Sequence, residues 1–299
     1  MNPLVLSWPE GEAFGLRLAA ALGCDHAVIA TRHFPDGESY LRLPADLGGL
    51  DVVLNCTLAD PDPKLAPLLF AADAARDLGA ARVGLVAPYL AYMRQDRRFE
   101  AGEAITSRSF ARVLSGAVDW LVTVDPHLHR FASLGEIYSI PATAVRAAPL
   151  LAQWVQARVE RPLLIGPDAE SAQWVAEVAR SIGAPCAVLE KTRHGDLEVE
   201  LGLPDLSGYA GRTPVLIDDV ASSGRTLIEA AGLLRQAGFA PPFCAVSHAL
   251  FAGDSFDRLK EVSAGIASTD SVAHPSNVVH LASALAQAVR ATLASHRLP

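Results

Sequence analysis

Asp218 and Asp219 stand side by side at the end of the apolar run Val215-Leu216-Ile217. After Val220 come Ala221, Ser222, Ser223, Gly224, Arg225 and Thr226, mostly small or hydroxylated. Two carboxylates at the carboxyl end of a buried strand can coordinate a hard cation or hold the hydroxyls of a sugar. A small polar loop leading into a helix offers successive backbone N–H groups, and the helix N-terminus adds to them, so the loop suits a phosphate. Ser222, Ser223 and Thr226 can add hydroxyl donors. An acidic pair and an anion nest on one loop point to a ligand with both hydroxyls and a phosphate, such as ribose 5-phosphate. The plainer reading, exposed strand-end acids and an ordinary serine N-cap, accounts for a single Asp better than for the pair.

A second group with chemical potential lies in residues 88–107, PYLAYMRQDRRFEAGEAITS. Arg94, Gln95, Arg97 and Arg98 are four cationic or amide groups in five positions, soon after an apolar strand. Arginine suits polyphosphate because its planar fork holds two oxygens at once. The chain has only three lysines, Lys64, Lys191 and Lys260, against many arginines.

These residues need elements to position them. Half the chain is hydrophobic and 19% is charged, over 299 residues, enough for a substantial core and one large or two medium domains. Strands are expected at 4–7, 27–30, 52–56, 82–87 and 120–124, then at 162–165, 187–189, 215–217, 243–247 and 264–267. Apolar residues at helical spacing predict helices at 64–78, 107–115, 169–182, 226–237 and 277–295. Strands alternating with helices imply an α/β chain of two tandem Rossmann-like domains, each a mainly parallel sheet flanked by helices. The pattern runs twice, as a repeat of architecture without a residue-level repeat, and divides the chain into 1–146 and 147–299. In such sheets ligands sit beyond the carboxyl ends of the strands.

The net charge of −8 argues against a broad nucleic-acid surface but leaves room for a small anion in one cleft. No apolar run is long enough to span a membrane. The opening MNPLVLSWPEGE lacks a basic then apolar leader, so a cytoplasmic protein is expected. Cys24, Cys56, Cys186 and Cys244 are scattered without zinc spacing and read as reduced thiols.

The loop 218–226 resembles the 5-phosphoribosyl-diphosphate (PRPP) binding loop of type I phosphoribosyltransferases and of ribose-phosphate pyrophosphokinases. Other segments resemble the pyrophosphokinases in the same order. Phe34-Pro35-Asp36-Gly37-Glu38 is similar to their FxDGE motif. That resemblance implies Phe34 stacking on an adenine held by a neighbouring subunit, with Asp36 and Glu38 accepting from its amino group. The same residues are strong turn chemistry. Residues 88–96 are similar to PYxxYxRQD, which assigns Arg94 and Gln95 to ATP. Val124-Asp125-Pro126-His127 is similar to VDxH, with His127 rather than His129 at the metal-bound phosphates. Gly166-Pro167-Asp168 is similar to SPD, in which Asp168 holds a metal or ribose hydroxyls; it is equally a plausible N-cap. Lys191-Thr192-Arg193 is similar to the K-x-R catalytic arm, implying that Lys191 and Arg193 close over ATP; a mobile hairpin is the plainer reading. Residues 247–253 and 268–271 resemble the THGxFxG and TDS/TNT elements.

The resemblance implies phosphoribosyltransferase-type domains and ribose-phosphate diphosphokinase activity: ATP and ribose 5-phosphate as substrates, Mg²⁺ as cofactor, and a homodimer or larger homo-oligomer. It departs at Arg225, where the family usually has Gly, at Ser222, which replaces a common Asp, and at Glu170-Ser171, which replaces Gly-Gly. The chain ends at Pro299 without the segment that forms part of the ADP site in longer members, so weak ADP allostery is expected. A phosphoribosyltransferase using PRPP and a catalytically idle regulatory paralogue are the alternative readings.

Overall fold

Parallel strands buried on both faces need apolar side chains without alternation. Val52, Val53 and Leu54 meet that need with no exposure, as do Val215, Leu216 and Ile217. The computed structural model describes residues 2–128, 130–194 and 198–295, with the side chains of 190–201 outside the description. His129, Gly195, Asp196 and residues 296–299 lie outside the described residues. The chain divides into two units, Met1–Val145 with Leu281–Pro299, and Arg146–His280.

Unit 1 contains β1 (Pro3–Ser7), α1 (Glu12–Leu22), β2 (Asp25–Val28), β3 (Ala30–His33), β4 (Ser39–Arg42), β5 (Asp51–Asn55), α2 (Asp62–Asp77), β6 (Arg82–Ala87), α3 (Thr106–Ala117), β7 (Trp120–Val124) and β8 (Ala142–Val145). Its sheet runs β2-β1-β5-β6-β7-β8 with every neighbour parallel. Strand residues Leu6, Leu54, Leu85 and Leu121 share one core with Leu68 and Ala72 of α2 and Phe110 and Leu114 of α3.

Unit 2 contains α4 (Ala148–Arg158), β9 (Pro162–Gly166), α5 (Ala172–Ile182), β10 (Cys186–Val188), β11 (Glu190–His194), β12 (Glu198–Gly202), β13 (Thr213–Ala221), α6 (Arg225–Gln236), β14 (Phe243–Ala249), α7 (Ser255–Val262), β15 (Gly265–Thr269) and β16 (Asn277–Val279). Its sheet runs β10-β9-β13-β14-β15-β16, again all parallel. Leu163, Ile165, Leu216 and Val246 pack with Leu227, Ala231 and Leu234 of α6 and Leu259 of α7.

The two units repeat one plan. Each winds its strands in the same order, and each inserts an antiparallel hairpin between its second and third sheet strands in the chain: β3–β4 in unit 1, β11–β12 in unit 2. The order reverses between β1 and β5 in the first sheet and between β9 and β13 in the second, which is where such sheets hold ligands. α4 follows the last strand of unit 1 but packs on α5. α8 (Ala282–Ser295) follows the last strand of unit 2 but packs on α1, β7 and β8.

That crossing accounts for the main difference from the expected division at 146/147. The division falls between Val145 and Arg146, and the last helix groups with unit 1. Leu285, Ala286, Val289 and Leu293 bury its apolar stripe, and Arg290 donates to the Ala21 carbonyl. The helix expected over 277–295 is a strand followed by a helix, because Asn277 Nδ2 donates to the Thr269 carbonyl at 2.6 Å and ties Val278 and Val279 to β15. The strand expected at 27–30 is the end of β2 and the start of β3. The helix expected over 169–182 opens with a separate 3₁₀ turn, Ala169–Ser171.

Candidate active site

β13 continues past Ile217 to Ala221, so Asp218 and Asp219 are strand residues and half-buried. Pairing with β9 ends at Leu216↔Ile165, while pairing with β14 continues through Asp218↔Val246 to Ala221↔Ala249. The acidic pair therefore begins where β9 turns away, at the switch point of the unit 2 sheet. Neighbouring strand residues project to opposite faces. The two side chains thus leave the strand on opposite sides, and Asp218 Oδ1 accepts the Asp219 N–H at 3.0 Å.

The loop then turns through Gly224, whose φ of 65° is left-handed and suits glycine. α6 starts at Arg225, one residue before the expected Thr226. Its first-turn amides lack intrahelical acceptors by position and favour an anion. No side chain caps this helix. Arg225 is exposed, and its N–H reaches Ser223 Oγ at 3.5 Å; Thr226 is half-buried and Leu227 buried.

Asp168 lies at the end of β9. Its Oδ1 accepts from the Glu170 N–H at 3.1 Å and the Ser171 N–H at 3.2 Å, and Ser171 Oγ lies 3.3 Å from the Asp168 nitrogen. This reciprocal capping box gives Ser171 a job. A Cβ on Gly166 would sit 2.5 Å from Ser171 Oγ, so any side chain there would push the Ser171 hydroxyl out of the capping box. The K-x-R segment forms the hairpin β11–β12, with Lys191 opposite Leu201 and Arg193 opposite Val199.

In unit 1, β7 ends in a strained residue. Asp125 has φ 35° and precedes a proline, while its N–H is held by the Val145 carbonyl at 3.0 Å. His127, half-buried, follows two residues later. The loop after β6 places Arg94, exposed, beside Gln95. Gln95 accepts from Thr106 Oγ1 at 3.2 Å, and its carbonyl accepts the Ser107 N–H at 3.3 Å, which seats the loop on the start of α3.

Sequence reasoning missed Arg130. Its Nη1 lies 2.8 and 3.0 Å from the two oxygens of Asp96, a carboxylate only 4% exposed. The pair joins the loop of Arg94 and Gln95 to the loop of His127, and no local pattern predicts a partner 34 positions away. Arg130→Met leaves Asp96 buried without this cation. Breaking a fully buried pair costs about 3–5 kcal/mol; with Arg130 partly exposed, we expect a loss of ~2 kcal/mol, read as a lower denaturant midpoint. Arg130→Lys should recover part of it.

The hairpin β3–β4 carries Phe34, Asp36 and Glu38 on its exposed turn. The Phe34 N–H donates to the Glu38 carbonyl at 2.8 Å, and Asp36 Oδ1 accepts the Glu38 N–H at 3.2 Å, so the turn chemistry is as expected. Arg32 lies over the Phe34 and Tyr40 rings at 4.3 and 4.4 Å from their centroids. In unit 2, the end of β14 meets the segment after β15: His248 Nδ1 is 2.8 Å from Ser271 Oγ, which donates to the Ser247 carbonyl at 3.0 Å.

Two thiols are removed from nucleophilic chemistry. Burial pushes Cys56 up to about 12, and burial with the Asp218 carboxylate pushes Cys244 up to about 12. Among the described residues no three His, Cys, Asp or Glu side chains cluster as a metal cage. Mg²⁺ rarely uses such a cage; it takes one or two carboxylates with substrate phosphates, and the acids at these strand ends fit that pattern. No helix of the described residues is long and apolar enough to cross a membrane.

The N-terminal domain of ribose phosphate pyrophosphokinase matches residues 4–117, and the phosphoribosyl transferase domain matches residues 133–284. A ribose-phosphate pyrophosphokinase of Methanopyrus kandleri is 38% identical over 291 residues, 96% of this chain and 98% of the relative. One of Saccharolobus solfataricus is 34% identical over 252 residues, 82% of this chain and 84% of the relative. The crystal structure of phosphoribosylpyrophosphate synthetase from Mycobacterium smegmatis shares the fold, with a TM-score of 0.86 at 24% identity over 99% of this chain and 100% of that one.

Proposed function

Because the chain belongs to the ribose-phosphate pyrophosphokinase family, we propose that the residues at its strand ends divide that family's reaction among them as follows. The protein is an ATP-dependent diphosphotransferase: the β,γ-diphosphoryl group of ATP passes to O1 of ribose 5-phosphate, giving PRPP and AMP. The anomeric O1 attacks the β-phosphorus in line. The O1–Pβ bond forms, the bond from the β-phosphorus to the α,β-bridging oxygen breaks, the O1 proton passes to solvent, and AMP leaves carrying that oxygen. Positioning and charge stabilisation supply most of the catalysis in such transfers.

In unit 2, Asp218 and Asp219 hold the ribose hydroxyls. Residues 221–226 hold the 5-phosphate through the backbone of Ala221, Ser222, Ser223, Gly224 and Arg225 and the hydroxyls of the serines and Thr226. Lys191 and Arg193 neutralise charge developing on the transferred group. In unit 1, Arg94 and Gln95 bind the nucleotide, and His127 meets its metal-bound phosphates. His127 and Asp168 would each hold Mg²⁺, which when bound would offset charge on the phosphates. Phe34, Asp36 and Glu38 serve the adenine of a neighbouring subunit, which makes the working form a homodimer or larger. A cytoplasmic location fits the unpaired, scattered cysteines.

The single observation that carries this reading is the acidic pair of β13 followed by the Gly224 turn into α6, at the point where β9 diverges. The phosphoribosyltransferase and idle-paralogue readings are not favoured, since the N-terminal pyrophosphokinase domain is present and the similarity to catalytic relatives spans nearly the whole chain. Incubating purified protein with ATP, Mg²⁺ and a panel of pentose phosphates should release AMP with ribose 5-phosphate. Release of AMP with none of the panel would overturn the reading.

A further inference from the structure

The segment after β14 shapes the phosphate loop from behind. The Ala221 carbonyl accepts the N–H groups of Leu250 at 3.0 Å and Phe251 at 2.9 Å. The Ser222 carbonyl accepts the Ala252 N–H at 2.8 Å and Ser255 Oγ at 3.4 Å. In a nest the amides converge on the anion, so the carbonyls between them must turn elsewhere and find donors. Residues 250–255 supply those donors.

Shape and strain agree with this. A Cβ on Gly224 would lie 3.3 Å from the Ser255 Cβ, so the start of α7 presses directly on the turn of the loop. Ser255 is 3% exposed. Phe251 holds a φ of 28°, a costly value for a side-chain-bearing residue. Its ring is fixed between Phe256 and His274, at 5.2 and 4.9 Å between centroids. His274 is in turn anchored by Ser276 Oγ at 2.7 Å.

We propose that residues 250–255 form the mould of the phosphate loop, with Ser255 and Phe251 as positioning residues for the 5-phosphate. The proposal rests on the reading of residues 221–226 as the phosphate loop. Neither residue touches the ligand; each acts through the carbonyls and the Gly224 turn. A distorted mould misaligns the amides that grip the phosphate and leaves the ATP residues alone.

The test compares Ser255→Ala, Ser255→Thr, Ser255→Val and Phe251→Leu by steady-state kinetics with each substrate varied, and by calorimetric titration of ribose 5-phosphate into the enzyme. Ser255→Val, which adds bulk against Gly224 and removes the hydroxyl, should raise the KM for ribose 5-phosphate about tenfold, with the KM for ATP within about twofold. Ser255→Thr restores the hydroxyl and should recover part of the loss. Ser255→Ala adds no bulk, so it decides the matter if Ser255→Val does not fold; about a threefold rise is then expected. Equal increases in both KM values, or a fall in kcat alone, would overturn the proposal. Ser223→Ala with Thr226→Val tests the underlying reading. If that pair weakens ribose 5-phosphate and the Ser255 and Phe251 variants do not, the mould is wrong and the phosphate loop stands; if neither set does, the loop assignment itself is wrong.

Discussion

Lys191→Ala is expected to lower kcat by about 10²–10³, the loss seen when one preorganised donor is removed from a developing charge, while ribose 5-phosphate binds almost as before. Only an interaction stronger in the transition state than in the ground state accelerates the chemical step. Lys191 lies in the hairpin β11–β12, which is joined to the main sheet of unit 2 by chain but not by strand pairing. Asp218 and Asp219 lie in that sheet, paired to β14. On the proposed assignment the sugar site is built by elements other than the hairpin, and a change at Lys191 should not reach it. Arg193→Ala should behave similarly but need not be additive, because residues acting on one charge act as a unit. Rapid-quench measurement of a single turnover, beside calorimetric titration of ribose 5-phosphate, separates the two effects. A loss of affinity equal to the loss of turnover would remove Lys191 from the chemical step.

The second large effect is expected in binding. Asp218→Asn and Asp219→Asn should each weaken ribose 5-phosphate by about 10- to 100-fold, since a hydrogen bond to a charged acceptor contributes about 1.5–3 kcal/mol. The strand places the two side chains on opposite faces, so on the proposed assignment each acid would contact a different part of the ligand. The double variant should then show close to the product of the single losses, up to the limit where binding is no longer measured. A chelating pair on one cation would behave otherwise: the first substitution would remove most of the affinity, and the second would add little. Thermal unfolding of each variant is the control, because Asp218 Oδ1 also accepts the Asp219 N–H. Wild-type affinity in both single variants would remove the acidic pair from the sugar site.

Much of this site was legible in one dimension. The strand ends at Ala87 and Val124 fall where the apolar runs stop. Turn chemistry at Pro35-Asp36-Gly37 appears as the tip of a hairpin. Asp168 shows why a motif and a cap are hard to separate in sequence. The same carboxylate after a strand and before a helix is the signature of both, and here its Oδ1 closes a capping box with Ser171. Ser171, a departure from the family pattern, is a cap partner whose hydroxyl Gly166 leaves room for. β4, β8 and β16 escaped the reading; each has only three or four residues, and such strands carry few alternations to register.

By itself the sequence determined the alternation of strand and helix, its running twice along the chain, and the acids, hydroxyls and arginines waiting at the strand ends. Those features are local: a period, a turn or a cap is written within a few residues and needs no distant partner. Tertiary structure alone decided that the last helix serves the first unit, that Arg130 meets Asp96, and that Ser255 presses on the phosphate loop 33 residues behind it. Such contacts exist only once parallel strands have brought remote loops to one edge of a sheet. A buried carboxylate or an orphaned carbonyl then takes whichever donor the packing delivers, and no local pattern records which one that will be.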